Sequence, residues 1–489
     1  MYLNRRNFLK SAGAASFLLA GGNLVFGNEK KRDKPNIVLF LADDLGWHQI
    51  GCYGSKFYET PNIDKLAAES MKFTDAYAAA PVCSPTRASI MTGKYPARLH
   101  LTQYIKAGSP SDEKLTVPDW TAYLPLEELT AAELLKDAGY TTGHFGKWHL
   151  NKDKDYELGR PGDPGSQGFD DVLTTHKPGA GPESPYENDA HHVRQITERA
   201  VSFIEANKDK PFFCYISHNS IHDPEIERDE LIEKYRNKPG ADNDVQQGHN
   251  NPVQAAMLET LDKSLADVLR KLEELDLQKD TLFVFFSDNG HLGPKDCSPL
   301  RGSKADIYEG GIREPLIVRL PGVIEPGSVC REPVISTDFF PTFAEIAGSD
   351  VSSPNVDGES IMPLLRQSGK LKRDAIFWHY PHYHHDGVGP SGAVRKGDYK
   401  LIEWFEKSIE GRHAEGAFEL YNLREDLSEQ NNLAEKMPEK VNELYKDLKQ
   451  WRKDVGAQEM PLNPDYQQAD AENPFHTACN SGQSRADRT

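Results

Sequence analysis

Three seven-residue runs constrain this chain more than anything else in it: 36–42 (NIVLFLA), 211–217 (PFFCYIS) and 281–287 (TLFVFFS). Each is apolar at nearly every position, so neither face of the strand it forms can meet water. Such strands belong inside a sheet covered above and below, usually a parallel sheet flanked by helices. The covering helices are legible too. Residues 252–275 place Leu258, Leu261, Leu265, Val268, Leu269 and Leu272 on one face, and 130–138 form a shorter helix closed by Gly139. Pro35 to about Gly348 therefore reads as an α/β layered domain. Each buried run ends in polar residues: Asp43-Asp44, then Ser217-His218 with His222 beyond, then Asp288-Asn289-Gly290. Open α/β sheets bind ligands at the carboxyl ends of their strands, so one site assembled from distant segments is expected there.

After about Asp374 the rhythm changes to short strand-like runs at 376–380, 393–402 and 418–421, followed by a helix over about 438–455. The chain divides accordingly into 28–373, a larger α/β domain, and 374–489, a smaller antiparallel α+β subdomain. Residues 106–125 and 151–189 are long loops rich in Gly, Pro and charge, of the kind that carries function. Ahead of the fold, Arg5-Arg6, Lys10 and the uncharged stretch Ala14 to Phe26 form a basic and then an apolar segment. Residues 1–27 therefore read as a twin-arginine signal peptide and predict a periplasmic or secreted bacterial protein. A net charge of −18 argues against nucleic-acid partners, and no apolar run approaches the roughly 20 residues of a membrane-spanning helix. Six scattered cysteines form neither a disulfide framework nor a zinc motif.

The paired acids Asp43-Asp44 and Asp288-Asn289 are ordinary turn sequences taken singly. Together they are also hard oxygen ligands suited to Ca²⁺ or Mg²⁺. The segment 81–93 (PVCSPTRASIMTG) resembles the signature of the formylglycine-dependent sulfatases, a cysteine followed by Pro and Arg at fixed spacing. Residues 139–149 (GYTTGHFGKWH) resemble that family's second signature, and Arg301-Gly302-Ser303-Lys304 with 308–315 (YEGGIREP) its lysine segment.

The resemblance implies an alkaline-phosphatase-like α/β/α sandwich with a large mixed sheet, and hydrolysis of sulfate monoesters. It implies that Cys83 is oxidised by a formylglycine-generating maturation enzyme to an aldehyde whose hydrate is the nucleophile, one hydroxyl attacking sulfur while the other later expels sulfate. Asp43, Asp44, Asp288 and Asn289 are implied to bind one Ca²⁺ together with residue 83. Arg87 and Lys147 would hold the diol and the sulfate oxygens. His149 would take a proton during sulfate release, and Asp288 would assist the attacking hydroxyl. His222 and Lys304 would serve the leaving group, His222 being assigned because His222-Asp223-Pro224 keeps the family's His-x-Pro spacing, with His218 an open alternative because the family's Pro-His-x-Pro is replaced here by 218–224 (HNSIHDP). The aromatic and imidazole tract 378–385 (WHYPHYHH) is expected to bind a sugar through Trp378, His379 and His382, with Tyr104, Lys106 and Trp404 as weaker candidates. The expected substrate is a sulfated oligosaccharide derived from an algal polysaccharide or a glycosaminoglycan. A phosphomonoester or phosphonate hydrolase of the same superfamily, and a non-catalytic glycan-binding relative, are the alternatives.

Overall fold

The computed structural model describes residues 34–466 apart from 109–111, 153–154, 158, 243–248, 295–298, 351–354, 386–387 and 411–414; the leader 1–27 with Arg5 and Arg6 lies outside the described residues. In chain order the first nine strands are β1 (Asn36–Ala42), β2 (Met71–Phe73), β3 (Ala76–Tyr77), β4 (Thr141–Gly146), β5 (Asp171–Thr174), β6 (Phe212–Ser217), β7 (Thr281–Ser287), β8 (Leu316–Arg319) and β9 (Ser328–Cys330). All but β3 join one mixed sheet in the order β5-β4-β6-β1-β7-β8-β2-β9. The block from β5 to β7 is parallel, and β8 runs antiparallel to both β7 and β2. β3 pairs with β10 (Val334–Ile335).

The three apolar runs are the strands β6, β1 and β7, adjacent at the sheet's centre. Strand alternation sends their side chains into two separate cores. Ile37, Leu39 and Leu41 pack with Ala88, Ile90 and Met91 of the helix Cys83–Thr92 and with Phe339, Phe340 and Phe343. Val38, Phe40 and Ala42 pack with Leu258, Leu261 and Leu265 of the helix Pro252–Glu274. This is the three-layer sandwich, and its carboxyl edge presents Asp43, Lys147, His218 and Asp288. Among the described residues no helix is long and apolar enough to cross a membrane.

The second sheet is antiparallel: β11 (Ala375–Tyr380), β12 (Ser391–Lys396), β13 (Tyr399–Trp404) and β14 (Phe418–Asn422), in that order. The helix Pro438–Val455 lays Val441, Leu444, Leu448 and Trp451 against it. Tyr77, Ile307, Tyr308 and Ile312 belong to the same apolar cluster. A buried charge cluster joins the two parts: Lys400 Nζ on β13 lies 2.9 Å from Glu309 Oε1 and 3.0 Å from Glu429 Oε1, and Arg313 Nη1 lies 2.9 Å from Glu309 Oε2. The segment around Lys304 is therefore seated directly on the second sheet.

Candidate active site

β1 stops at Ala42 and the chain turns sharply, with Asp44 at φ +60°. Non-glycine residues rarely hold that conformation, and His149 (φ +57°) and Ala305 (φ +72°) hold it beside the same site. The turn is fixed by its neighbours: the Asp43 N–H donates to the Ser220 carbonyl (3.0 Å), and the Ile221 N–H donates to that of Asp43 (2.7 Å). Cys83 opens a helix in which every residue is buried, and its Sγ lies 3.6 Å from Asp43 Oδ1 and 3.9 Å from Asp44 Oδ1. Arg87 follows one turn later on the same helical face. Its Nη2 is 2.7 Å from Asp288 Oδ2 and 3.7 Å from Asp43 Oδ1, while Nη1 donates to the Lys147 carbonyl at 3.0 Å and to Ser217 Oγ.

Two lysines complete the cluster. Lys147 Nζ sits 2.7 Å from Asp43 Oδ2, and Lys304 Nζ sits 2.7 Å from Asp44 Oδ1 and 2.8 Å from its Oδ2. Glycines set both approaches. Gly146, at φ +121°, brings the chain so close to β6 that a Cβ there would lie 1.8 Å from the Ser217 carbonyl oxygen. Gly310 and Gly311 pass across the Lys304 loop, where a Cβ would lie 2.1 Å from the Gly302 oxygen and 2.0 Å from that of Asp306. The loop is tied to the segment before Cys83 by the Ala305 N–H, which donates to the Pro81 carbonyl (2.8 Å).

Three carboxylates and three cations thus neutralise one another in a water-poor pocket. Burial pushes the Asp43 carboxyl up, but Lys147, His222, Arg87 and Lys304 together hold it well below the usual carboxylate range. Burial also pushes the Cys83 thiol up to about 12. An unmodified Cys83 is therefore a protonated, soft sulfur, unsuited to a hard cation or to attack at neutral pH. His149 donates from Nε2 to the Ile105 carbonyl (3.0 Å), which leaves Nδ1, buried and without a partner, as the proton-accepting nitrogen. Burial first, then Lys147 and Arg87, lower its pKa well below the ordinary imidazole value and keep the ring neutral.

The site fits a hard divalent cation. Ligand atoms of Asp43, Asp44, Cys83 and His222 all lie within 4.8 Å of one another. Asn289 donates through Nδ2 to Asp44 Oδ1 (2.7 Å), while its Oδ1 is buried without a hydrogen-bond partner. An orphaned amide oxygen beside converging carboxylates is the donor set that Ca²⁺ or Mg²⁺ takes.

Of the two histidines after β6, His222 reaches this cluster, its Nε2 3.6 Å from Asp44 Oδ2. His218 does not: its ring packs against Phe40 with centroids 4.9 Å apart, and its Nε2 meets Ser264 Oγ at 3.1 Å in the core. Sequence reading named Ser217 at a strand end but gave it no role; its hydroxyl accepts from Arg87 and donates to the Lys147 carbonyl (2.7 Å). Its position at the end of a buried strand was the available signal.

The expected sugar-binding trio is corrected. Trp378 is 1% exposed, donates from Nε1 to the Ala78 carbonyl (2.8 Å) and sits edge-on to Tyr77. His379 meets the Gln458 carbonyl at 2.7 Å, and His382 meets Thr102 Oγ1 at 2.8 Å, both buried. The second sheet is covered on both faces, so Trp378 and His379 pack there, and His382, beyond the end of β11, packs edge-on against Tyr380 and Trp120; none of the three offers a face to a ligand. Tyr104, with His384 and His385 of the same tract, instead lines a cavity of about 220 Å³ that also includes Gln103 and Tyr383. Lys106 is exposed, and Trp404 donates to Glu419 Oε1 (3.0 Å). Trp378→Ala is accordingly expected to cost about 3–5 kcal/mol in urea unfolding, while Trp378→Phe leaves KM for substrate unchanged.

Comparison with known proteins matches this architecture. The family model described as Sulfatase covers residues 35–349, and that described as N-sulphoglucosamine sulphohydrolase, C-terminal covers 303–456. A sulfatase of Formosa agariphila is 32% identical over 492 residues, spanning 85% of this chain and 88% of that protein. Human arylsulfatase A is 32% identical over 473 residues, spanning 85% and 86%. The crystal structure of Ps i-CgsB in complex with k-i-k-neocarrahexaose superposes with a TM-score of 0.70 at 26% identity, covering 91% of this chain and 97% of that one. Matched over most of its length both by sequence and by fold, the chain belongs to the sulfatase family and is a sulfuric ester hydrolase.

Proposed function

We propose that this enzyme removes sulfate from a sulfated carbohydrate, with residue 83 matured from cysteine to formylglycine by a dedicated enzyme and one Ca²⁺ held by Asp43, Asp44, Asp288, Asn289 and residue 83. The observation that carries the proposal is the convergence of three acids and three cations on the side chain at the start of one buried helix. The modified residue supplies an oxygen nucleophile and a route for expelling sulfate; the cation, when bound, polarises sulfate oxygens and favours the deprotonated nucleophile.

The remaining work falls to this chain's own groups. Arg87, held rigidly by Asp288, Ser217 and the Lys147 carbonyl, keeps its charge beside residue 83, and Lys147 brings a second charge to the same end of the helix. Such fixed charges stabilise developing negative charge without reorganising. His149 Nδ1 is the free acceptor for a proton released at residue 83. Lys304 and His222, on the Asp44 side, serve the departing oxygen. Support for a carbohydrate comes from the fold-level neighbour bound to a neocarrahexaose and from the Tyr104, His384 and His385 cavity. The leader 1–27 supports export to the periplasm or beyond.

The test is inorganic sulfate release from a panel of sulfated oligosaccharides, alongside 4-nitrophenyl sulfate and a matched phosphate ester. A sulfated oligosaccharide is expected to give the highest kcat/KM, with activity lost on treatment with EGTA and restored by Ca²⁺. Turnover of the aryl sulfate alone would remove the carbohydrate assignment, and faster phosphate release would remove sulfate as the preferred group.

A further inference from the structure

We propose that Asp223 is a positioning residue that fixes the His222 imidazole for proton donation to the leaving group, an inference that rests on the role proposed for His222. His222 Nδ1 lies 2.8 Å from Asp223 Oδ1 and 2.7 Å from the Asp223 carbonyl oxygen, so this nitrogen faces acceptors only and carries a proton. Nε2 is consequently the nitrogen turned toward the site, 3.6 Å from Asp44 Oδ2. The second Asp223 oxygen is engaged from outside, with Lys177 Nζ 3.2 Å from Oδ2.

The loop carrying the pair is anchored on several sides. The His222 N–H donates to the Asn219 carbonyl (3.1 Å), Asn219 Nδ2 donates to Thr175 Oγ1 (2.7 Å), and His191 Nε2 meets the Pro224 carbonyl at 2.9 Å. The Ile221 N–H reaches the Asp43 carbonyl. Ring rotation would cost both Nδ1 contacts: the backbone carbonyl shares in fixing the tautomer, and the carboxylate adds the charged partner that holds the ring's orientation, as second partners of reacting imidazoles commonly do.

The step balances within the pair. As the bond from sulfur to the leaving oxygen breaks, its electron pair stays on that oxygen, which takes the Nε2 proton. Nε2 keeps the electron pair of its broken N–H bond, and the Nδ1 proton stays between the ring and Asp223. This assistance matters when the leaving group is a basic sugar alkoxide and hardly at all when it is a nitrophenolate, which departs without a proton.

The experiment compares wild type, Asp223→Ala and Asp223→Asn on the best sulfated oligosaccharide of the panel and on 4-nitrophenyl sulfate. Asp223→Ala is expected to lower kcat on the sugar sulfate by about 100-fold with KM within about twofold, and to change 4-nitrophenyl sulfate turnover by less than about threefold. Asp223→Asn, which keeps an acceptor opposite Nδ1, loses less than the alanine variant on the sugar. Equal losses on both substrates would reduce Asp223 to a structural loop residue, and an undiminished rate on the sugar sulfate would remove its role. Failure of the wild type to release sulfate from any sugar would instead strike the proposed function, a result distinguishable before any variant is made.

Discussion

Replacing Cys83 with alanine abolishes sulfate release, with kcat/KM falling by about four orders of magnitude or more, the loss typical when a nucleophile is deleted from an otherwise intact site. The fold survives the change. The lost sulfur makes only long contacts to Asp43 and Asp44, at 3.6 and 3.9 Å, and a buried truncation of this size costs about 1 kcal/mol. Sulfate release on the panel and urea unfolding together check this. Peptide mass spectrometry of the wild-type fragment containing residue 83 supplies the third reading, a deficit corresponding to thiol replaced by aldehyde. Active protein with an intact thiol would overturn the nucleophile assignment. Undiminished glycan affinity in a wild type and variant that are equally inactive would favour a binding protein.

The second large effect belongs to Arg87. Arg87→Met leaves Asp288, fully buried, without the guanidinium that meets its Oδ2 through both Nε and Nη2. Breaking one partner out of a buried ion pair costs about 3–5 kcal/mol, because the remaining charge cannot reach water. Catalysis falls as well, by about 100-fold or more, since a fixed positive charge beside the reacting group is lost. Arg87→Lys restores little. The fork also serves the Lys147 carbonyl and Ser217 Oγ, and a single ammonium cannot span all three directions. Urea unfolding and kcat measured on the same preparations test both halves. A variant with unchanged stability would show that Asp288 is compensated elsewhere.

The central strands were legible because burial on both faces leaves a run with no polar positions, and β1, β6 and β7 needed no tertiary knowledge to identify. The place of the site followed from what ends those runs, whereas Cys83, Arg87, Lys147, His149 and Lys304 came only from the resemblance to the sulfatase signatures. The His-x-Pro spacing favoured His222 over His218 without deciding between them: both follow the same strand, and it is the packing of Phe40 and Ser264 around His218 that excludes that ring from the site. The aromatic tract failed for a related reason. Period-two alternation places Trp378 and His379 on opposite faces of β11, and composition cannot say that both faces are covered, one of them by a helix some 60 residues further on. Asp223 was given no role in the sequence reading. The partnership of Glu309 with Lys400 and Glu429 spans about 90 and 120 positions, and no local pattern announces it.

Cys83 is 1% exposed, at the head of a helix sealed between the sheet and the elements packed over it. On the proposed chemistry this burial gives the chain a deadline. A second protein can reach that thiol only while the polypeptide is still open, so maturation is a race between two rates rather than a binding equilibrium. Whatever slows closure of the sheet raises the fraction that wins. Synthesis faster than the maturation capacity leaves a silent population that is soundly folded, indistinguishable by stability, and beyond later repair.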